Sequence, residues 1–132
     1  MKTILVVEDL QQTRHLICKK LWSNGYNTLD AASVQEAYEV LSHVTDQINL
    51  VLSDVDLPDI NGFDLLKKIK NNPNLEDIPV VFWTSEYDSD KIRFARESGV
   101  ARFVQKPFRD ERFFTEIDRA INIKGAMINV VA

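Results

Sequence analysis

The chain has 132 residues and a mass of 15.2 kDa, which suits one domain with a real core and leaves too little for two. Hydrophobic residues make up 45% and charged residues 27%, a globular balance, and the formal charge of -4 offers no general attraction for nucleic acid or anionic lipid. Cys18 is the single cysteine and excludes an internal disulfide, no basic start followed by an apolar run suggests export, and no apolar stretch approaches the ~20 residues that cross a bilayer, so a cytoplasmic protein is expected.

In chain order, short apolar runs alternate with segments of helical period. TILVVE precedes a helix predicted over 10–24, NTLDAA one over 33–44, LVLSD one over 62–71, PVVFWT one over 88–98, and ARFVQ one over 110–124. Strands that are apolar throughout are buried on both faces, which marks a parallel sheet between two helix layers and an α/β, doubly wound fold. Ser33 and Glu36 form a capping box at the start of the second helix, whose Val34, Ala37, Tyr38, Leu41 and Val44 fall on one stripe. Asn24-Gly25 and Ser98-Gly99 read as helix stops, and Pro73 and Pro79 bracket a polar loop. The apolar run AMINVVA after Gly125 reads as a frayed tail, with docking as the alternative.

In an open parallel sheet, ligands bind outside the carboxyl ends of the strands, where strand order reverses. The first strand ends in Glu8-Asp9, the third in Asp54, the fourth in Thr84-Ser85, and the fifth runs into Lys106-Pro107. Two unit charges ~4 Å apart repel by about 4 kcal/mol at an effective dielectric of 20, so Glu8, Asp9 and Asp54 could converge as bare anions only at a cost, and a cation is expected among them. Carboxylates, backbone carbonyls and water are hard ligands suited to Mg2+ or Mn2+, and Mg2+ sites add phosphate oxygens. The pattern points to phosphoryl chemistry.

These residues carry a resemblance. The acidic pair, the run Asp54-Val55-Asp56-Leu57-Pro58-Asp59-Ile60-Asn61-Gly62, the hydroxyl of Thr84 and the Lys106-Pro107 pair follow one another on the right elements, and over residues 2–124 the chain resembles a receiver domain of a two-component response regulator. The resemblance implies a flavodoxin-like, five-stranded parallel sheet in the order 2-1-3-4-5 with helices on both faces, a receiver domain over 1–124 and a short apolar tail over 125–132. It implies a phosphoacceptor regulatory domain, catalysing at most its own phosphorylation and dephosphorylation. Asp54 would accept the phosphoryl group from a sensor histidine kinase or a histidine phosphotransfer protein. Asp9 would bind Mg2+ directly, Glu8 through water, and Asp56 through its backbone carbonyl. Lys106 would pair with the phosphoryl oxygens, Thr84 would hydrogen-bond one of them, and Phe103 would swing inward behind it. The switched surface would be that of the fourth helix, fifth strand and fifth helix. It would regulate a downstream effector protein or a fused output domain, with a homodimer through the same surface as a further partner and no direct nucleic-acid contact. Leu57 stands where the family commonly has methionine and Ser85 where it has alanine or glycine, while Asp56 and Glu86 occupy positions that tune phosphoryl lifetime.

Other readings compete at several positions. Asp54-Val55-Asp56 also fits the strand-end motif of a haloacid dehalogenase-type phosphatase, with Asp54 as nucleophile and Asp56 as general acid. Against it stand the acidic pair before the nucleophile, the lack of one after the lysine strand and the lack of room for a substrate cap. An interaction-only pseudo-receiver is opposed by the intact Asp9, Asp54, Thr84 and Lys106, and a flavodoxin by the absence of a hydroxyl-rich phosphate loop after the first strand. Asp59 and Asn61 read as turn formers, His15 and His43 as exposed helix residues, and Cys18 as a small helix hydrophobe. Trp83 is expected beneath the strand ends, and Trp22 is expected to close the first helix against the sheet.

Overall fold

The computed structural model describes residues 1–55, 62–84, 102–105 and 110–122, together with Arg93 and Glu97, both helical. Five strands, β1 (Thr3–Val7), β2 (Asn27–Ala31), β3 (Leu50–Asp54), β4 (Val80–Thr84) and β5 (Arg102–Gln105), form one sheet in the order β2-β1-β3-β4-β5. Every neighbouring pair is parallel. Among the described residues the continuous α-helices are α1 (Gln11–Ser23), α2 (Val34–His43), α3 (Gly62–Lys70) and α4 (Asp110–Asn122), the last being the fifth helix expected from the sequence. Among the described residues no helix is long and apolar enough to cross a membrane. The helix predicted over 88–98, the Ser98-Gly99 stop, the last residues of the helix predicted to 124 and the 125–132 tail lie outside the described residues, apart from Arg93 and Glu97.

Side chains alternate across a strand, so continuous apolar strands feed two separate cores. Leu5, Val7, Val51, Val80 and Phe82 pack with Val34, Ala37 and Leu41 of α2 and with Phe63, Leu65, Leu66 and Ile69 of α3. Their neighbours Ile4, Val6, Leu50, Leu52, Val81 and Trp83 face the other way, onto Ile17, Cys18 and Leu21 of α1 and onto Phe113, Ile117, Ala120 and Ile121 of α4. The two-layer reading of the strands is thereby realised at β1, β3 and β4.

The edge strand β2 is different. Asn27, Leu29 and Asp30 are exposed and only Ala31 is buried, because β2 is covered on one side by β1 and open on the other. The loop between Pro73 and Pro79 is also less polar than expected. Asn72 accepts from the amides of Leu75 and Glu76 at 2.9 Å and, through Oδ1, from Asn74, a turn that points Leu75 and Ile78 into the α2–α3 core.

Local chemistry sets the helix ends. Ser33 Oγ accepts from the Glu36 amide at 3.1 Å, while the Glu36 carboxylate reaches the amide of Ala32 at 3.4 Å, one residue before the cap amide of the expected box. Gly25, at φ 87°, lets the chain leave α1 and turn into β2, with its amide donating to the carbonyl of Trp22. Trp22 itself corrects an expectation. It is 56% exposed, because Ile17, Cys18 and Leu21 already fill the inward stripe and residue 22 falls beside it.

Phe82 is fully buried and meets Phe63 edge to face at 5.2 Å. Phe82→Ala should lower the unfolding free energy by about 3–5 kcal/mol, read by chemical denaturation, and a loss under about 1 kcal/mol would contradict the packing described. Burial also raises the Cys18 thiol above its ordinary pKa. Iodoacetamide near pH 8 should therefore alkylate Cys18 slowly in the native protein and rapidly after denaturation, and equal rates would show that the thiol is open to solvent.

Candidate functional site

The chain leaves β1 to one side to make β2 and returns across it to make β3, so strand order reverses between β1 and β3. That reversal opens a crevice at the carboxyl ends of the two strands. Val7 lies opposite Ser53, which brings the next residues, Glu8 and Asp54, to the same edge. Ligand atoms of Glu8, Asp9 and Asp54 all lie within 4.8 Å of one another. Glu8 and Asp54 are buried and Asp9 is exposed, so the cluster is walled by protein and open on one side.

The backbone of the site is held closely. The Glu8 amide donates to the carbonyl of Ala31 at 3.0 Å, and Arg14 Nη1 donates to the carbonyl of Glu8 at 2.8 Å. The same guanidinium, through Nε, pairs with Asp30 Oδ2 at 2.9 Å. Ser53, wholly buried, donates from Oγ to the carbonyl of Asp54 at 2.8 Å, which satisfies a hydroxyl that the apolar strand would otherwise strand in the core.

The sheet register extends the site toward β5. Asp54 is opposite Trp83, and Thr84 is opposite Gln105, so the end of β4 places Thr84 one position beyond the neighbour of Asp54. Trp83 is 3% exposed, beneath the strand ends as expected. Phe103 lies within β5 opposite Phe82 of β4. Asp56 and Lys106 lie outside the described residues, as do Leu57, Asp59, Asn61, Ser85 and Glu86. Of the expected residues, the described structure thus brings together Glu8, Asp9 and Asp54.

Three carboxylates with two of them buried form a hard, oxygen-only donor set, suited to a divalent cation that prefers oxygen and retains water. The residues present fit such an ion. His15 and His43 are exposed on α1 and α2. Arg14, Asp30 and Ser53 belong to this site but were not singled out in the sequence. The available signal was a single arginine in the first turns of α1 and an aspartate on an otherwise neutral strand, which becomes informative only once β2 is known to lie beside β1.

The model of the response regulator receiver domain matches residues 4–118. The chain belongs to that family. It is 36% identical over 106 residues to the two-component response regulator ORR3 of Oryza sativa subsp. indica, covering 80% of each chain. It is 32% identical over 106 residues to the chemotaxis protein CheY1 of Helicobacter pylori, covering 80% of this chain and 85% of that one. Among solved structures, a response regulator receiver domain protein from Clostridium thermocellum superposes with a TM-score of 0.86 at 26% identity, covering 92% of this chain and 95% of that one. The non-phosphorylated HemR receiver domain of Leptospira biflexa does so at 0.83 and 29%, covering 94% and 97%. The flavodoxin-like fold and the assignment to two-component signalling follow, and the phosphatase reading of Asp54 and Asp56 is not favoured.

The donor set makes a direct prediction about stability. A divalent cation that binds only the folded cluster should stabilise the receiver by about 2.7 kcal/mol at about a hundred times its dissociation constant. Thermal melts in Mg2+ against chelator should show the rise, and Asp9→Ala should remove it. Equal melting temperatures in the two buffers would remove the cation site.

Proposed function

We propose that this receiver is a phosphoacceptor switch in which Asp54 takes a phosphoryl group from a phosphohistidine. The observation that carries the reading is the convergence of Glu8, Asp9 and Asp54 at the strand-order reversal, within 4.8 Å, in a chain of this family. A carboxylate oxygen of Asp54 attacks phosphorus, the bond from phosphorus to the donor imidazole nitrogen breaks, and its electron pair stays on that nitrogen, which then takes up a proton. The product is an acyl phosphate on Asp54.

Asp9 and Asp54 would hold Mg2+, or Mn2+, through their carboxylates, with Glu8 acting through water and Asp56 through its backbone carbonyl. The bound ion would supply neutralising charge for the oxygens of the transferring group. In this reading Lys106 pairs with the same oxygens, Thr84 hydrogen-bonds one of them, and Phe103 takes the space that Thr84 leaves. Loading then shifts the population between two packings of the surface made by the helix expected over 88–98, β5 and α4, the last being the fifth helix of the sequence. Membership of the family supports a histidine kinase or histidine phosphotransfer protein as donor. The switched surface would act on an effector protein, on a fused output domain or on a second copy. The setting would be the cytoplasm.

Acetyl phosphate with Mg2+ tests the chemistry without a partner. Intact-mass measurement should show one phosphoryl group per chain and then a stall, Asp54→Asn should abolish loading, and Asp56→Asn should alter the lifetime of the adduct without preventing it. Absence of loading in the wild-type chain would leave only an interaction module. Sustained turnover of a phosphate ester that is lost in Asp56→Asn would restore the phosphatase.

A further inference from the structure

Arg14 makes two contacts that no catalytic role has used. Its Nη1 donates to the carbonyl of Glu8 at 2.8 Å, and its Nε pairs with Asp30 at 2.9 Å, the two side chains being 14% and 46% exposed. Glu8 is thus gripped at both ends of its backbone, by the Ala31 carbonyl at its amide and by Arg14 at its carbonyl. Ala31 and Asp30 both belong to β2, so the edge strand supplies one grip directly and anchors the other. The carbonyl that Arg14 holds belongs to the peptide joining Glu8 to Asp9, whose rotation would swing both carboxylates relative to Asp54.

We propose that Arg14 is a positioning residue for the acid cluster, holding the Glu8–Asp9 peptide in the orientation from which both carboxylates meet Asp54. The proposal rests on the cluster being a cation site. Groups that orient metal ligands without touching the metal typically change affinity by about 10–100-fold when removed. Two simpler roles give different expectations. As a bare charge, Arg14 repels a cation, so its neutral replacement would tighten binding, the more so because Asp30 would be left as an uncompensated anion. As a mere tether of α1 to β2, it would be equivalent to the Trp22 contact, in which Nε1 donates to Thr28 Oγ1 at 2.6 Å on the same pair of elements and away from the acids.

Calorimetric titration of Mg2+ into the full chain separates these roles, with thermal melts alongside. Arg14→Met should weaken Mg2+ binding by about tenfold. Trp22→Phe should lower the melting temperature while binding Mg2+ as the wild-type chain does. Arg14→Lys keeps the charge, but one nitrogen cannot serve carbonyl and carboxylate as two guanidinium nitrogens do, so it too should weaken binding, by less. It decides the matter if Arg14→Met does not fold. Unchanged or tighter binding in the Arg14 variants, or equal weakening in Trp22→Phe, would overturn the positioning role. If the wild-type chain binds no Mg2+, the cation site itself falls and the positioning role with it. Binding in the wild type with no change in the Arg14 variants removes only the latter.

Discussion

The parallel register of β1 against β3 is the constraint from which the rest follows. Both strands are buried on both faces, so apart from Thr3 and the hydrogen-bonded Ser53 they carry apolar side chains and place charge only at their carboxyl ends. With Val7 opposite Ser53, they leave it at the same level. Their first charged residues, Glu8 and Asp54, therefore arrive together whether or not like charges favour it. The crevice at the strand-order reversal gives them room, and Asp9 closes the cluster from the solvent side.

Holding like charges there has a cost that the remainder of the domain offsets. Like charges within 4.8 Å oppose one another, most where Glu8 and Asp54 are buried and least at the exposed Asp9, which solvent screens. A domain is stable by only about 5–15 kcal/mol, so even a modest repulsion at the site must be offset elsewhere. The two cores that flank the sheet make this tolerable. Ile4, Leu5, Val6 and Val7 of β1 and Leu50, Val51 and Leu52 of β3 are wholly buried, so the strands that present the acids are among the least free to move. Rigid strands also hold the acids in place against rearrangements elsewhere in the domain.

What was legible in the sequence follows from which signals are local. Continuous apolar runs at 4–7, 50–52 and 80–83 announce doubly buried strands, and the residues just beyond them announce the site edge. Ser33 and Glu36 mark a helix start because a cap is satisfied within one turn. Trp22 could not be placed this way. Its bulk suggests burial, but Ile17, Cys18 and Leu21 occupy the inward positions, and the indole is left to lie on β2 through its N–H. Leu75 and Ile78 were hidden for a related reason, since their burial depends on a turn around Asn72 that the flanking prolines do not reveal. Arg14 was illegible because its partners, the carbonyl of Glu8 and the side chain of Asp30, come together only after β2 pairs with β1. Asp56, Lys106 and the last helix residues beyond Asn122 lie outside the described residues, so their expected places stand as expectations.

The contrast between apolar and polar contacts on α1 explains why a charged clamp belongs at this edge. Hydrophobic burial is non-directional, and a helix with three buried residues in 13 can rotate slightly about its axis at little loss. Hydrogen bonds at 2.6–2.9 Å do not tolerate that rotation. Trp22, toward the far end of α1, ties the helix to β2 away from the acids, whereas Arg14 bonds both to β2 and to the Glu8 carbonyl beside them. The start of α1 is the chain that carries Asp9 and Leu10 away from β1. The Arg14 contact therefore fixes where that connection leaves the strand, and it lets an exposed edge strand with little apolar contact take part in shaping the acid site.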